Sequence, residues 1–534
     1  MNSQARVGIS VLWAVALVCG VQASLRHSLA AARTAAAQVG KLSASAAEWR
    51  RPAGTDDGLD AQVQNHHASG VVRYVAQDGD DGNQCDSVAE RCASVQHALD
   101  VAQPGDEIRV STGNYADADG TVATVEKTVS LLGGWNSGFT SRDPGLYPTV
   151  LDAEGNGRVV TVNGEREISP TIDGFVIRGG NAGQEEEFPG RGGGIFSKGS
   201  NARILNNVIV SNVASVSPTN GAGGGICVYG SSATAVISGN QILSNTAYSD
   251  IWGWGGGGIH LDEGSALVQG NLIEHNRCNL NGGGILSKQG KPRMLNNEIR
   301  YNEAGRNGGG IASDNHDQPL IRGNLVIGNV AGWNGGGIIV SGWVTSTIDA
   351  NRLLSNTGYS SLAIAAPHFT ATNNLIGHSD YGGISLWNTA VSGLVAHNTL
   401  VSNARWGIRL HNASVTPTII NNIVAFNATG IEAGAQVSGT LDYNDVWGNT
   451  DQNYDLPGAL QPGPHSIESD PLFVNPAADD FHILAGSPCV DAGTDAGVSR
   501  DFDGDLRPIG SGADIGADEA HRPIYLPLLL RMGL

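Results

Sequence analysis

The tetrapeptide GGGI occurs six times in this chain, and its isoleucines, Ile195, Ile226, Ile259, Ile285, Ile311 and Ile338, lie 31, 33, 26, 26 and 27 residues apart. Weaker copies continue at Ile364, Ile384, Ile408 and Ile431. A second motif, N-x-[ILV]-x-x-N, runs in step with the first, from Asn207 with Asn212, through Asn297 with Asn302, to Asn444 with Asn449. In the copy at Asn374 the second asparagine is replaced by Ser379. A period in the twenties, with short apolar alternations, Gly-rich turns and almost no helical pattern, predicts an all-β parallel solenoid in which each repeat is one coil. Glycine permits the turns and isoleucine fills the stacked interior. Asparagine tolerates left-handed turns, and its amide can bond from coil to coil. Leucine-rich repeats lack their regular leucine framework here, and about 26 residues cannot supply the four strands of a propeller blade.

Composition agrees with a repeat architecture. Glycine is 75 of 534 residues, charged residues are 15%, and the formal charge is −20. That charge argues against nucleic acid or an anionic membrane as partner. It leaves open a neutral glycan, or a polyanion held through a cation. Arg6, the apolar run VGISVLWAVALVC and the small-residue site VQA read as a secretory signal over 1–23. Residues 24–70 read as a flexible linker or pro-region, 71–118 as a cap with the first strands and 119–450 as the solenoid. Residues 451–519 read as C-terminal coils with a closing segment, and 520–534 as an apolar tail too short to span a bilayer. Export to an oxidising space leaves five cysteines, among which Cys85 and Cys92 are the expected disulfide pair.

VVRYVA reads as a strand, and CASVQHALDVAQPGDEIRV as a short helix, a turn and a second strand. Val95, Ala98, Leu99 and Ala102 share one face of that helix, which could close the open end of the stack. The GGGI and asparagine repeats over about 170–450 follow RYVAQDG and ALDVAQPGDEIRVSTGNY. Together they resemble the right-handed parallel β-helix repeat (PbH1) proteins of the pectate-lyase-like superfamily. DFDGDLRPIGSGADIGADE, residues 501–519, looks like the closing segment of bacterial surface β-helix proteins described as having a choice-of-anchor domain. The resemblance implies a single-stranded right-handed β-helix, but the superfamily holds lyases, hydrolases, epimerases and proteins without known catalysis.

Side chains alternate along a strand, so an inward isoleucine places the residue two positions on inward, and those one and three positions on outward. The inward column reads Ser197, Val228, Leu261, Ser287, Ser313, Val340, Ala366, Leu386 and Leu410; the outward column reads Lys198, Tyr229, Asp262, Lys288, Asp314, Ser341, Pro367, Trp387 and His411. Stacked coils then set Asp262, Lys288 and Asp314 in a vertical acid, base, acid triplet, with His260 on the same face and Asn315, His316 and Asp317 in the following turn. A surface ladder of charges needs no function and contributes about 0–1 kcal/mol per contact. A glycan site gains support from the nearby Tyr229, Trp252, Trp254 and Trp333, whose flat rings suit sugar faces.

Two chemistries fit the triplet. For hydrolysis, carboxylates two coils apart stand about 9.6 Å apart, near the limit for a water-admitting pair, but the intervening lysine favours ionising both. β-Elimination from a uronate glycan would use Lys288 as base, with Asp262, Asp314 or Asp317 holding Ca²⁺. The flanking carboxylates favour an ammonium over a free amine, so this role calls for a cation on them. The resemblance implies Lys or Arg bases with calcium, without a motif that transfers residue by residue. Asp501, Asp503 and Asp505 alternate as in a calcium loop, but Gly512 occupies the position of its closing glutamate. The expectation is a secreted or cell-surface protein, acting as a monomer, that binds polysaccharide, with cleavage by a lyase-like mechanism left open. The alternative is a non-catalytic surface or adhesion protein displaying a binding face.

Overall fold

The structure, a computed structural model, describes residues 70–520 apart from 118–119, 165–167, 216–220, 231–233, 251–252, 316, 343–344, 388–391 and 412–415. The signal, most of the linker and all of the apolar tail but Ala520 lie outside the described residues. Three long parallel sheets run through the chain, one of 14 strands and two of 13, and each takes every third main strand in order. A typical coil enters sheet C at Ile195–Lys198, turns into sheet A at Arg203–Leu205 and continues into sheet B at Val208–Val210. Parallel pairing begins with Val72–Val75 against Glu107–Ser111 and reaches Gln452–Asp455. The one α-helix among the described residues, Val95–Val101, buries Val95, Ala98 and Leu99 against the first strands.

The tetrapeptide divides its work by position. In NGGGI, Gly282 adopts φ +71°, a left-handed turn that disfavours a side chain. A Cβ on Gly283 would fall 2.5 Å from the Gly309 carbonyl oxygen and 2.6 Å from the Glu303 carbonyl carbon, so this glycine sets how closely the coils approach. Ile285 then enters the core with no exposure, as do Ile195, Ile226, Ile259, Ile311 and Ile338. The register differs from expectation at one coil. Leu362, not Ile364, pairs with Ile338 and with Ile384. Ile364 is therefore the second inward residue, and Ala366 and Pro367 lie beyond the strand. Serines replace the glycines before Leu362, which hides the frame in the sequence.

The paired asparagines form two columns of buried amides. Asn302 is representative. Its Oδ1 accepts from the backbone N and the Nδ2 of Asn276, while its Nδ2 donates to the Ile273 carbonyl and to Asn329 Oδ1, at 2.9–3.0 Å. The left-handed turns fall on the residue before the ladder asparagine, as at Asn296, Tyr301, Asn421 and Phe426. The asparagine itself is thus spent on coil-to-coil bonding. Where Ser379 interrupts the second column, Asn356 Nδ2 donates to Ser361 Oγ instead.

After the last solenoid strand the chain returns along the outer face of sheet B. Phe473, Phe481, Ile483, Cys489, Ile515 and Ala520 pack on Leu354, Leu375, Val401, Ile423 and Ala425. Arg352 donates to the Asp479 carbonyl, Asn373 to the Arg500 carbonyl, and Gly516 N to the Asn421 carbonyl. Cys85 and Cys92 form the expected disulfide with Cα atoms 5.1 Å apart, and Cys227, Cys278 and Cys489 are buried free thiols. No helix among the described residues is long and apolar enough to cross a membrane.

Candidate functional site

Two patches accompany sheet C, one on its outer face and one on the turns that lead into its strands from sheet B. The first is the charged column expected from sequence. Asp262, Lys288 and Asp314 are in register on Ile259–Gly264, Ile285–Gly290 and Ile311–Asp314. Only the first pair closes, with Lys288 Nζ 3.4 Å from Asp262 Oδ2. Asp314 accepts the backbone N–H of Asn315 and the hydroxyl of Ser341. Trp254 folds back over the column, and its ring centre lies 4.0 Å from the Lys288 ammonium and 4.3 Å from the Arg191 guanidinium. The same ring stacks on His260 at 5.5 Å and 13°. Arg191 also lies over Tyr229, 4.4 Å from its ring centre, which ties that residue to the patch.

This patch is roofed. Asp262 is 4% exposed, Lys288 9% and His260 0%. Burial pushes His260 below the usual imidazole range, although Asp262 at 4.0 Å pulls the other way. That separation is too long for a hydrogen bond. Burial alone would raise Asp262, but the Lys288 ammonium beside it helps to hold its carboxyl below the usual range. The site therefore pairs a neutral imidazole with an ionised carboxylate, and neither a protonated acid nor an exposed amine faces solvent.

Asp317 corrects the expected metal set. Its side chain turns into the solenoid, where one carboxylate oxygen accepts the inward Ser287 and Ser313 hydroxyls and the other the Gly290 N–H. Asp317, Asp314 and Asp262 therefore do not converge, and the three do not fit a Ca²⁺ site. Trp252 and His316 lie outside the described residues. Burial raises the Asp317 carboxyl to about 6, against its hydrogen bonds. A carboxyl raised in the folded state contributes stability fully below the unfolded pKa near 3.8, and that contribution is lost as pH rises through about 6. Asp317→Asn should therefore remove up to about 3 kcal/mol of stability loss between pH 4 and 7. Denaturant melts of both proteins across that range check this; parallel pH profiles would refute it.

The second patch was only partly anticipated. Trp333, 55% exposed and three coils beyond Ile259, stands on the Arg306 guanidinium, 4.0 Å from its ring centre. It belongs to an open groove with Asn334, Thr357, Tyr359, Asp380 and Tyr381, away from Trp254. Tyr359 is the hub of the rings beneath, 5.1 Å from Tyr381, 5.1 Å from Trp387 and 5.0 Å from Trp406. Trp387 stacks on His411 at 3.7 Å. Trp406 is 2% exposed, and a Cβ at Gly382 would lie 2.1 Å from its Nε1, so that glycine makes room for the indole. Arg405 covers Tyr381 at 4.5 Å, and Thr357 donates to Asp380 at 2.6 Å. A signal for this groove exists in the sequence, since Tyr359 and Tyr381 each stand three residues before an inward position, Leu362 and Ile384. It becomes visible only in the corrected register.

The family model described as right handed beta helix region matches residues 160–353, 247–391 and 329–457. These segments cover more than half of the chain, and the chain belongs to this family. Among solved structures, XylC in complex with xylose is similar at 11% identity over 85% of this chain and 99% of that chain, with a TM-score of 0.46. A pectate lyase matches at 14% identity over 85% and 97% (TM-score 0.38), and a periplasmic alginate epimerase at 14% over 68% and 83% (TM-score 0.40). These likenesses assign no activity. No curated protein matches the sequence.

Proposed function

We propose that this chain is an exported polysaccharide-binding protein that holds its glycan along the turns leading from sheet B into sheet C, over the groove of Trp333, Tyr359 and Tyr381. The observation that carries this reading is the succession of rings on three adjacent coils, with Asn334, Thr357 and Asp380 beside them. Coils rise by about 4.8 Å, close to the length of one pyranose unit, so a glycan lying along the solenoid axis meets one ring edge or face per sugar. Flat rings with polar neighbours take the apolar face and the hydroxyls of a sugar respectively. The Cys85–Cys92 disulfide supports an oxidising compartment and hence export or cell-surface display.

Cleavage by β-elimination is the second reading, favoured by the Asp262–Lys288 pair. It requires Lys288 to reach substrate, and the Trp254 roof opposes that. Binding without bond cleavage therefore ranks first. The test is calorimetric titration of neutral and uronate polysaccharides into the purified protein, with absorbance recorded for unsaturated uronate ends. Trp333→Ala is expected to weaken binding about 10–100-fold, as for a central aromatic contact, and Lys288→Ala to leave it intact. Unchanged affinity in the Trp333 variant would refute the groove. Unsaturated ends made by the wild type and lost in Lys288→Ala would replace binding by the lyase reading.

A further inference from the structure

The returning segment over sheet B brings together an imidazole and two carboxylates from three separate stretches of chain. His482 lies on the short strand Asp480–Ile483, Asp503 in the turn after Asp501, and Asp518 near the end of the segment. One ligand atom from each lies within 4.8 Å of the others, and His482 Nε2 is 2.8 Å from Asp503 Oδ2. On the far side of the ring, His482 Nδ1 meets the Asp480 carboxylate. Metal-binding imidazoles are oriented in this way, a second carboxylate taking the ring N–H that faces away from the ion.

The alternating aspartates of DFDGDLRP do not form a calcium loop. Asp501 is buried, and its oxygens accept the backbone N–H groups of Asp503, Asp505 and Glu519. Asp501 thus shapes the turn, and the turn delivers Asp503 to His482. Asp518 Oδ2 accepts from Ile483 N at 2.8 Å, which orients its carboxyl beside the ring. We propose that His482, Asp503 and Asp518 bind a divalent transition-metal ion of the zinc type, with Asp480 as the positioning residue behind the imidazole. A donor set of one nitrogen and two oxygens suits Zn²⁺, Co²⁺ or Mn²⁺, whereas Ca²⁺ takes oxygen ligands.

The local charge agrees, since Asp501 and Asp503 add negative charge beside Asp518, which a divalent cation would offset. The bound ion would tie three stretches of the closing segment to one another, independently of any glycan in the Trp333 groove.

The experiment uses the full-length protein, stripped with a chelator and titrated with CoCl₂, then ZnCl₂. One equivalent of Co²⁺ should give a visible d–d absorption that Zn²⁺ abolishes. ZnCl₂, but not CaCl₂, should raise the thermal midpoint in a saturable manner. His482→Gln should lose both responses, and Asp480→Asn should weaken binding about 10–100-fold. If His482→Gln does not fold, Asp503→Asn is read in the same two assays. The proposal is overturned by a silent wild type, by undiminished responses in the ligand variants, or by a thiolate charge-transfer band that places the ion on cysteine.

Discussion

Arg507→Ala is expected to detach the closing segment from the solenoid, at a cost of about 3–5 kcal/mol. Arg507 and Glu519 form an ion pair at 2.8 Å in which each side chain is 1% exposed. The guanidinium also donates to the carbonyls of Asp514, Gly516 and Ala517. Alanine leaves three carbonyls and a buried carboxylate without their main partner, which is the costly way to break such a pair. Glu519 in turn holds the backbone N–H groups of Ile509 and Asp514, so the loss spreads through residues 507–519. The solenoid itself makes none of these contacts and should keep its β signal. Limited proteolysis should show early cleavage within 467–520 in the variant, and an unchanged digestion pattern and melting curve would contradict this account.

Asn302→Ala should be at least as damaging, but in the solenoid itself. Four hydrogen bonds made by the side chain disappear, and the Asn276 N–H and amide and the Ile273 carbonyl lose partners in a site with no exposure. At about 1–3 kcal/mol for each buried group left unpaired, the expected loss is about 3–6 kcal/mol. Coils contact only their neighbours, so the damage should centre on the coils around residue 302. Hydrogen exchange should show lost protection there first, with the first coils near Val72 retaining theirs. Uniform loss along the chain would contradict the picture of nearly independent coils.

These two variants separate what the sequence made legible from what it hid. The asparagine columns and the inward isoleucines repeat in register, and repetition makes the environment of one coil evidence for the next. The Cys85–Cys92 bridge was legible because the two residues are close in the chain. Departures from the repeat were not. At Leu362 serines replace the glycine marker, so the frame slips by two and the tyrosine pair before Leu362 and Ile384 escapes notice. Asp317 follows a turn, where alternation of faces no longer applies, and its carboxylate goes to the interior serines. Lys288 has the expected register, but its exposure depends on Trp254, which arrives from an insertion in the preceding coil. The packing of the closing segment on sheet B joins residues such as Arg352 and Asp479, and no local pattern reports a contact so distant in the chain.

The amide columns also have a direction. Each Nδ2 that bridges two ladder asparagines points to the later coil and each oxygen to the earlier one, so the dipoles add head to tail along the axis. The donors of the second column end on Asn449, which donates to Asn453, and Asn453 donates to the Glu468 carboxylate at 2.6 Å. The first column ends with Asn444 N donating to Ser466 Oγ. The second column thus ends on residues that break the repeat, whereas the last amide of the first column turns back to the Ile419 and Asp442 carbonyls. Without those partners, the last coil would leave oriented donors open to another chain. Ser466, Asn453 and Glu468 thus give the last coil partners of its own, outside the repeat.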